Sequence, residues 1–295
     1  MNDRRDIEFL SNGLTCAGWF YKTAEKEKAP CIILAHGFSA VKEMRLDAYA
    51  ERFVEAGYNA LVFDYRHFGG SEGMPRQLLD IKKQHQDWQA AIAFARTLPE
   101  VDASAIILWG SSFSGGHVLA IGATEPGIVA MISQVPHING VATAMAAGIG
   151  HGARLGFAAF RDILRALFNR PPFYIPALGR PGELAAMTAT GEYEASRKLF
   201  PRGSDINEDV AARIFFFMPL YSPGRHASKI KIPWLVQVAV NDRTTPPGPA
   251  IKAANAAPAG ELITYPLGHF DVYVQPHFEQ TIADQLAFLK KHTGN

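Results

Sequence analysis

Short continuous apolar runs punctuate the chain: Cys31–Ala35 (CIILA), Ala60–Phe63 (ALVF), Ala105–Trp109 (AIILW), Ile128–Ile132 (IVAMI) and Trp234–Ala239 (WLVQVA). Each is bounded by turn residues, which predicts strands buried on both faces, as in a parallel sheet. Glu261–Tyr265 (ELITY) is a more mixed strand, and Ile7–Leu10 and Leu14–Tyr21 flank Ser11-Asn12-Gly13, a hairpin signal. Between the runs the hydrophobic period lengthens. Leu46–Ala56 puts Leu46, Tyr49, Ala50, Phe53 and Val54 on one stripe, and Gln84–Leu98 does the same with Trp88, Ala91, Ile92 and Ala95. Phe278–His292 repeats the pattern with Ile282, Leu286 and Leu289. Strands alternating with helices predict an α/β architecture: a mostly parallel, doubly wound sheet with right-handed crossovers.

The alternation fails between Ile132 and Trp234, a gap of about 100 residues where an αβ connection needs only a few. The stretch is rich in Ala, Phe and Pro and includes RPPFYIPALGRPG, from Arg170 to Gly182, and IFFFM, from Ile214 to Met218. One more crossover helix plus a disordered loop is the alternative, but so many aromatics argue against disorder. The stretch therefore reads as a helical cap, residues 136–228, inserted into a core of residues 1–135 and 229–295. Phe157, Phe160 and Phe216 are the expected pocket-facing residues of the cap. Three consecutive phenylalanines, Phe215 to Phe217, cannot all face one way on a helix.

Composition narrows the function classes. The 295 residues carry 29 Lys+Arg against 28 Asp+Glu, a net charge of +1, with 48% apolar and 19% charged residues. That excludes general disorder and gives no electrostatic reason for a nucleic-acid or anionic-membrane partner. Cys16 and Cys31 fit no redox or zinc spacing and read as buried thiols. The opening MNDRRDIEFLSNG lacks the apolar core of a secretory signal. A cytoplasmic protein acting on a small molecule is expected, with no cofactor and no metal. Gly148-Ile149-Gly150-His151-Gly152 has the wrong spacing for a dinucleotide loop. Oligomeric state is left open, a homodimer included.

Candidate chemistry lies just after the strands. The run AIILW leads into Gly110-Ser111-Ser112-Phe113-Ser114-Gly115-Gly116 and then a helical pattern. A strand, a sharp glycine-rich turn holding a serine, and a helix form the context of a nucleophile elbow. The backbone there is strained, so residues two before and two after the serine must be small. Gly110 and Ser114 meet that condition for Ser112. Ser111 fails it because of Trp109, and Ser114 lies further from the strand end. A serine hydroxyl needs a base, and the base an orienting acid. His269 follows the ELITY strand and Asp242 follows WLVQVA, in the chain order serine, acid, histidine. His36-Gly37-Phe38 ends the CIILA strand. The backbone N–H groups of Phe38 and Phe113 are candidates to receive a developing oxyanion. His36 reads as a hydrogen-bonded turn residue rather than a base.

With those residues in view, the chain resembles the α/β-hydrolase superfamily over nearly its whole length. GSSFSGG, the HGF loop, FDYRHFGGSEG (Phe63–Gly73), VNDRTTPP (Val240–Pro247) and GHFDVY (Gly268–Tyr273) match in order. The last two look most like the dienelactone-hydrolase-like and serine-aminopeptidase-like branches. The resemblance implies Ser112 as nucleophile, Asp242 as acid, His269 as base, and Phe38 and Phe113 as amide donors. It also implies that Asp64, Arg66, Gly69 and Ser71 are structural. Ser114, where the pattern has glycine, is the main departure. The expected activity is hydrolysis of a small or medium ester, or a thioester, amide or lactone, with an apolar acyl part. An acyltransferase using the same three residues, and a non-catalytic binding protein of this fold, are the alternatives.

Overall fold

The computed structural model describes residues 3–294. A hairpin opens the chain: β1 (Asp3–Ser11) turns through Asn12 and Gly13, at φ 48° and 81°, into β2 (Leu14–Lys22). Two successive positive φ angles match the twist of the flanking strands, and Asn-Gly adopts them at low cost. Alternating elements follow: β3 (Ala29–Ala35), α1 (Leu46–Glu55), β4 (Asn59–Phe63), α2 (Ile81–Ala95), β5 (Val101–Ser111), α3 (Phe113–Gly122) and β6 (Ile128–Gln134). α2 starts earlier than its apolar stripe suggests, because the Asp80 side chain accepts from the Lys83 amide at 3.0 Å and caps the first turn.

The elements between β6 and the next core strand are α4 (Gly140–Ala146), α5 (Ile149–Leu167), β7 (Tyr174–Pro176), α6 (Glu192–Ser196), β8 (Asp209–Ala211) and α7 (Ile214–Phe217), with three short 3₁₀ turns. This insertion is not wholly helical, since β7 and β8 pair antiparallel as a separate two-stranded sheet. Pro171, Pro172 and Pro176 explain the difference: they deny the segment helical hydrogen bonds and favour extended backbone. The chain then completes the core with β9 (Trp234–Ala239), α8 (Pro247–Ala256), β10 (Gly260–Tyr265) and α9 (His277–Thr293). α8 is a helix the hydrophobic pattern did not announce. Its buried face is only Ala250, Ala253 and Ala254, and proline opens its first turn.

The main sheet runs β1-β2-β4-β3-β5-β6-β9-β10. β2 is antiparallel to both its neighbours, and every pairing from β4 onward is parallel. This is the mostly parallel, doubly wound sheet the apolar runs predict. Every residue of β4 and β9 is buried, whereas β10 is half-exposed because it pairs on one side only. That position accounts for the mixed character of ELITY. Cys16 and Cys31 are free thiols buried in the core.

One buried ion pair staples the loop after β4 to the loop after β3. Asp64 accepts from the Lys42 amide at 2.8 Å and the Gly70 amide at 3.0 Å, and its Oδ2 lies 2.7 Å from Lys42 Nζ. Ser71 Oγ donates back to the Asp64 carbonyl at 2.7 Å. Arg66 pairs with buried Asp87, which also accepts from Ser11 Oγ at 2.6 Å. The FDYRHFGGSEG motif thus works as a scaffold. Asp64→Ala, which leaves the Lys42 ammonium only its pairing with Glu43 and strands two amides, should cost about 3 kcal/mol. Urea unfolding at neutral pH measures it, and a loss below about 1 kcal/mol would show that the pair does not act as a staple.

Candidate active site

Four loops meet at the C-terminal edge of the parallel strands, where open α/β sheets place their ligands. They follow β3, β5, β9 and β10 and carry Phe38, Ser112, Asp242 and His269. Ser112 joins β5 directly to α3 at φ 56° and ψ −120°. The fold tolerates this strained geometry because neighbouring positions lack bulk. A Cβ on Gly110 would lie 2.4 Å from the Ser114 carbonyl oxygen, and one on Gly37 would lie 2.7 Å from Ser112 Cβ. Gly37 is therefore glycine to admit the serine itself. Ser114 is buried and its hydroxyl lies 2.8 Å from Tyr65 Oη, which accepts from Trp88. The departure from glycine at this position thus supplies a hydrogen bond. Ser111 is fully buried and engaged with Tyr273 and Gln134.

The structure brings Ser112, His269 and Asp242 together. Ser112 Oγ lies 3.0 Å from His269 Nε2, and His269 Nδ1 lies 2.6 Å from Asp242 Oδ2. The carboxylate only accepts, so it fixes the proton on Nδ1 and leaves the Nε2 lone pair facing the hydroxyl. Asp242 is itself held: Oδ1 accepts from the Thr244 and Thr245 amides, each at 2.7 Å, and Oδ2 lies 2.7 Å from Thr245 Oγ1. Burial alone would lower the His269 pKa, but the Asp242 carboxylate beside it, helped by Glu192, outweighs burial and raises it above the ordinary value. Glu192 comes from α6 of the insertion and is buried, with Oε1 close to Gly268 in the loop that carries His269. Nothing in the sequence pattern singled it out, because only the fold brings α6 beside the β9 and β10 loops.

Phe113 is the first residue of α3, so its N–H has no intrahelical partner. Among the described residues no acceptor bonds either the Phe113 or the Phe38 amide. His36 is a turn residue: its Nδ1 accepts from the Gly37 amide at 2.9 Å and its Nε2 bonds the Met44 carbonyl at 2.7 Å. Asp271 accepts from the Gly268 amide at 2.9 Å. No cluster of three or more metal-ligating side chains occurs among the described residues.

Two cavities converge on Ser112. The larger, about 250 Å³, is bounded by Phe38, Phe113, Leu155, Phe215 and Met218, with His137, His151 and Arg243 as polar wall. The smaller, about 30 Å³, is bounded by Leu178, Met187, Leu199, Phe200 and Phe270, and reaches His269. Phe157, Phe160 and Phe216, expected to line a pocket, border neither cavity and point outward, 70%, 56% and 59% exposed. The helical phase of α5 explains this, because Leu155, Ala158 and Ala159 occupy its inner face. Of the phenylalanine triplet it is Phe215 that turns inward, its ring 5.8 Å from that of Phe38.

This geometry has close company among known proteins. The chain belongs to the serine aminopeptidase, S33, family of α/β hydrolases, whose family model matches residues 26–272. It is 41% identical over 286 residues to the quorum-quenching protein AidA of Acinetobacter baumannii (strain MDR-ZJ06), covering 97% of this chain and 94% of that protein. It is 28% identical to the polyketide transferase ATR5 of Stachybotrys chlorohalonatus (strain IBT 40285), covering 98% of this chain and 97% of the relative. The crystal structure of α/β hydrolase GrgF from Penicillium sp. sh18 superposes with a TM-score of 0.84 at 24% identity, over 99% of each chain. No helix of the described residues is long and apolar enough to cross a membrane.

Four histidines near the elbow are held neutral. Burial lowers His36, His85 and His137 to about 4 and drives His117 well down. Each binds its proton more readily unfolded, where the pKa is about 6.5. Their contribution to stability is complete above that pH and declines as pH falls toward 4. His269 acts in the opposite sense, as do the Asp64, Asp87 and Glu192 carboxyls that burial raises. Thermal unfolding from pH 7 to pH 4.5, with wild type beside His117→Gln, isolates one imidazole, and the variant should lose less stability over that range than wild type. An equal loss in both would contradict the assignment of a neutral buried imidazole at His117.

Proposed function

We propose that the protein is a serine hydrolase that cleaves a carboxylic ester or thioester with a largely apolar acyl part through an acyl-enzyme. The observation that carries this reading is the Ser112–His269–Asp242 chain of hydrogen bonds at the junction of two cavities, beside two amides with no partner of their own. In the proposed cycle Ser112 Oγ attacks the acyl carbon while His269 Nε2 takes the hydroxyl proton. Asp242 holds the imidazole orientation and stabilises the imidazolium. The Phe38 and Phe113 amides receive the oxyanion, each worth about 3 kcal/mol in the transition state. His269 returns the proton to the leaving oxygen or sulfur, which departs. Water then attacks the acyl-enzyme with His269 as base, releasing the acid and restoring the serine.

The larger cavity, with Phe38, Phe113, Leu155 and Phe215 in its wall, suits an apolar acyl chain. The smaller one reaches His269 and so suits the leaving group. Likeness to the quorum-quenching protein AidA supports a small-molecule substrate. A second reading is acyl transfer to an alcohol or amine in place of water. It is favoured by likeness to the polyketide transferase ATR5.

Ser112→Ala should lower kcat on a chromogenic ester by roughly 10⁴–10⁶ with the fold intact; a variant retaining more than a tenth of the activity would remove Ser112 from the mechanism. Because the base acts only when neutral and its pKa is raised, kcat/KM should fall on the acid side with a midpoint above the ordinary histidine value. A midpoint well below that value would contradict the Asp242 pairing. Product analysis with butanol or an amine present separates the two readings. Free acid alone supports hydrolysis, and a new ester or amide formed in preference to acid supports transfer.

A further inference from the structure

The outer face of α5 is a packing surface with nothing on it. Ala153, Phe157, Phe160, Leu164 and Leu167 follow one another at spacings of four and three residues and are all exposed. That spacing makes a straight apolar seam along a helix, the kind that packs against another helix at a shallow angle. The opposite side of the same helix is buried against this chain through Leu155, Ala158, Ala159 and Asp162, which pairs with Arg213. The apolar surface continues beyond the seam: Phe168 is 73% exposed at the end of α5, and Phe216 and Phe217 project from α7, which packs on α5. Almost all the large exposed hydrophobic side chains of the described residues lie between Val141 and Leu220.

We propose that this face is the interface of a homodimer in which α5 packs against α5 of a second copy across a two-fold axis. Three observations choose that occupant. A two-fold contact needs a patch complementary to itself, and a seam of alternating spacing meets an identical antiparallel seam knob into hole. The seam of α5 together with Phe168, Phe216 and Phe217 exposes roughly 800 Å², taking about 200 Å² for a full phenylalanine, which equals one partner's share of a standard stable interface. The arginines bordering the seam are turned back onto their own chain. Arg154 donates to the Gly182 carbonyl at 2.9 Å, Arg165 donates to the Pro171 carbonyl at 2.6 Å, and the Arg161 guanidinium lies 4.2 Å from the Phe173 ring centre. A helix built for an anionic lipid surface would present those cations outward.

The consequence reaches the site. His151, Gly152 and Leu155, on the inner face of α5, bound the larger cavity beside Ser112. Each protomer would thus hold in place the helix that covers its partner's acyl-side cavity.

Sedimentation velocity from nanomolar to high micromolar protein tests the proposal, with wild type beside the double variant Phe157→Arg/Leu164→Arg. Wild type should sediment at twice the chain mass, and the variant should dissociate at least about 100-fold more readily. Wild type that stays monomeric throughout, or a dimer indifferent to both substitutions, overturns the proposal. Should the double variant fail to fold, Phe160→Cys decides, since both native cysteines are buried. Phe160 lies near the middle of the seam, so mild oxidation should give a disulfide-linked dimer, and a product that stays monomeric overturns the proposal. Monomeric wild type that binds phosphatidylglycerol vesicles, with binding lost in the double variant, would assign the face to lipid instead.

Discussion

The strained backbone of Ser112 is the constraint on which the rest of the site depends. Holding a serine at φ 56° between β5 and α3 lifts its hydroxyl clear of both elements. The neighbours are then dictated by space: Gly110 by the Ser114 carbonyl and Gly37 by the serine Cβ. Gly37 in turn lets the loop after β3 lie close against the elbow. Burial of β5 on both faces and its pairing with β3 and β6 hold this strain in place. The buried Asp64–Lys42 pair secures the β3 loop from behind.

Electrostatics divides the histidines into two kinds. His85, His117 and His137 pack around Tyr221, His36 stacks on Tyr273, and burial without a charged partner keeps all four neutral. His269 is equally buried but faces an immobilised carboxylate, and its pKa moves the other way. The difference lies in the partner, since desolvation is common to all of them. Asp242 accepts from two backbone amides as well as from His269, so the carboxylate is fixed in place before the imidazole needs it. An imidazole oriented and tuned in this way has the properties a base needs near neutral pH.

How much of this was legible in the sequence depended on the range of the interaction. The core strands were readable because burial on both faces leaves continuous apolar runs. The elbow was readable because its constraint lies within five consecutive residues. The conjunction of Ser112, Asp242 and His269 was readable from chain order, each following its own strand. What escaped was set by contacts between distant segments. α8 presents only alanines to the core, so it left no stripe. Glu192 acquires its place through an insertion whose path no local pattern encodes. Phe157 and Phe160 look like pocket residues in composition, but helical phase turns them outward and gives the inward face to Leu155. The proline-rich turn that hides β7 is likewise explained only by its pairing with β8.

The proposed chemistry requires that His269 and Asp242 activate the hydroxyl of Ser112 in particular. The most direct test is to treat the native enzyme with a fluorophosphonate and locate the adduct by peptide mass spectrometry. A single stoichiometric adduct on Ser112, abolished in His269→Ala, is the predicted result. Modification at Ser111 or Ser114, or a chain that stays unlabelled while folded, would contradict it.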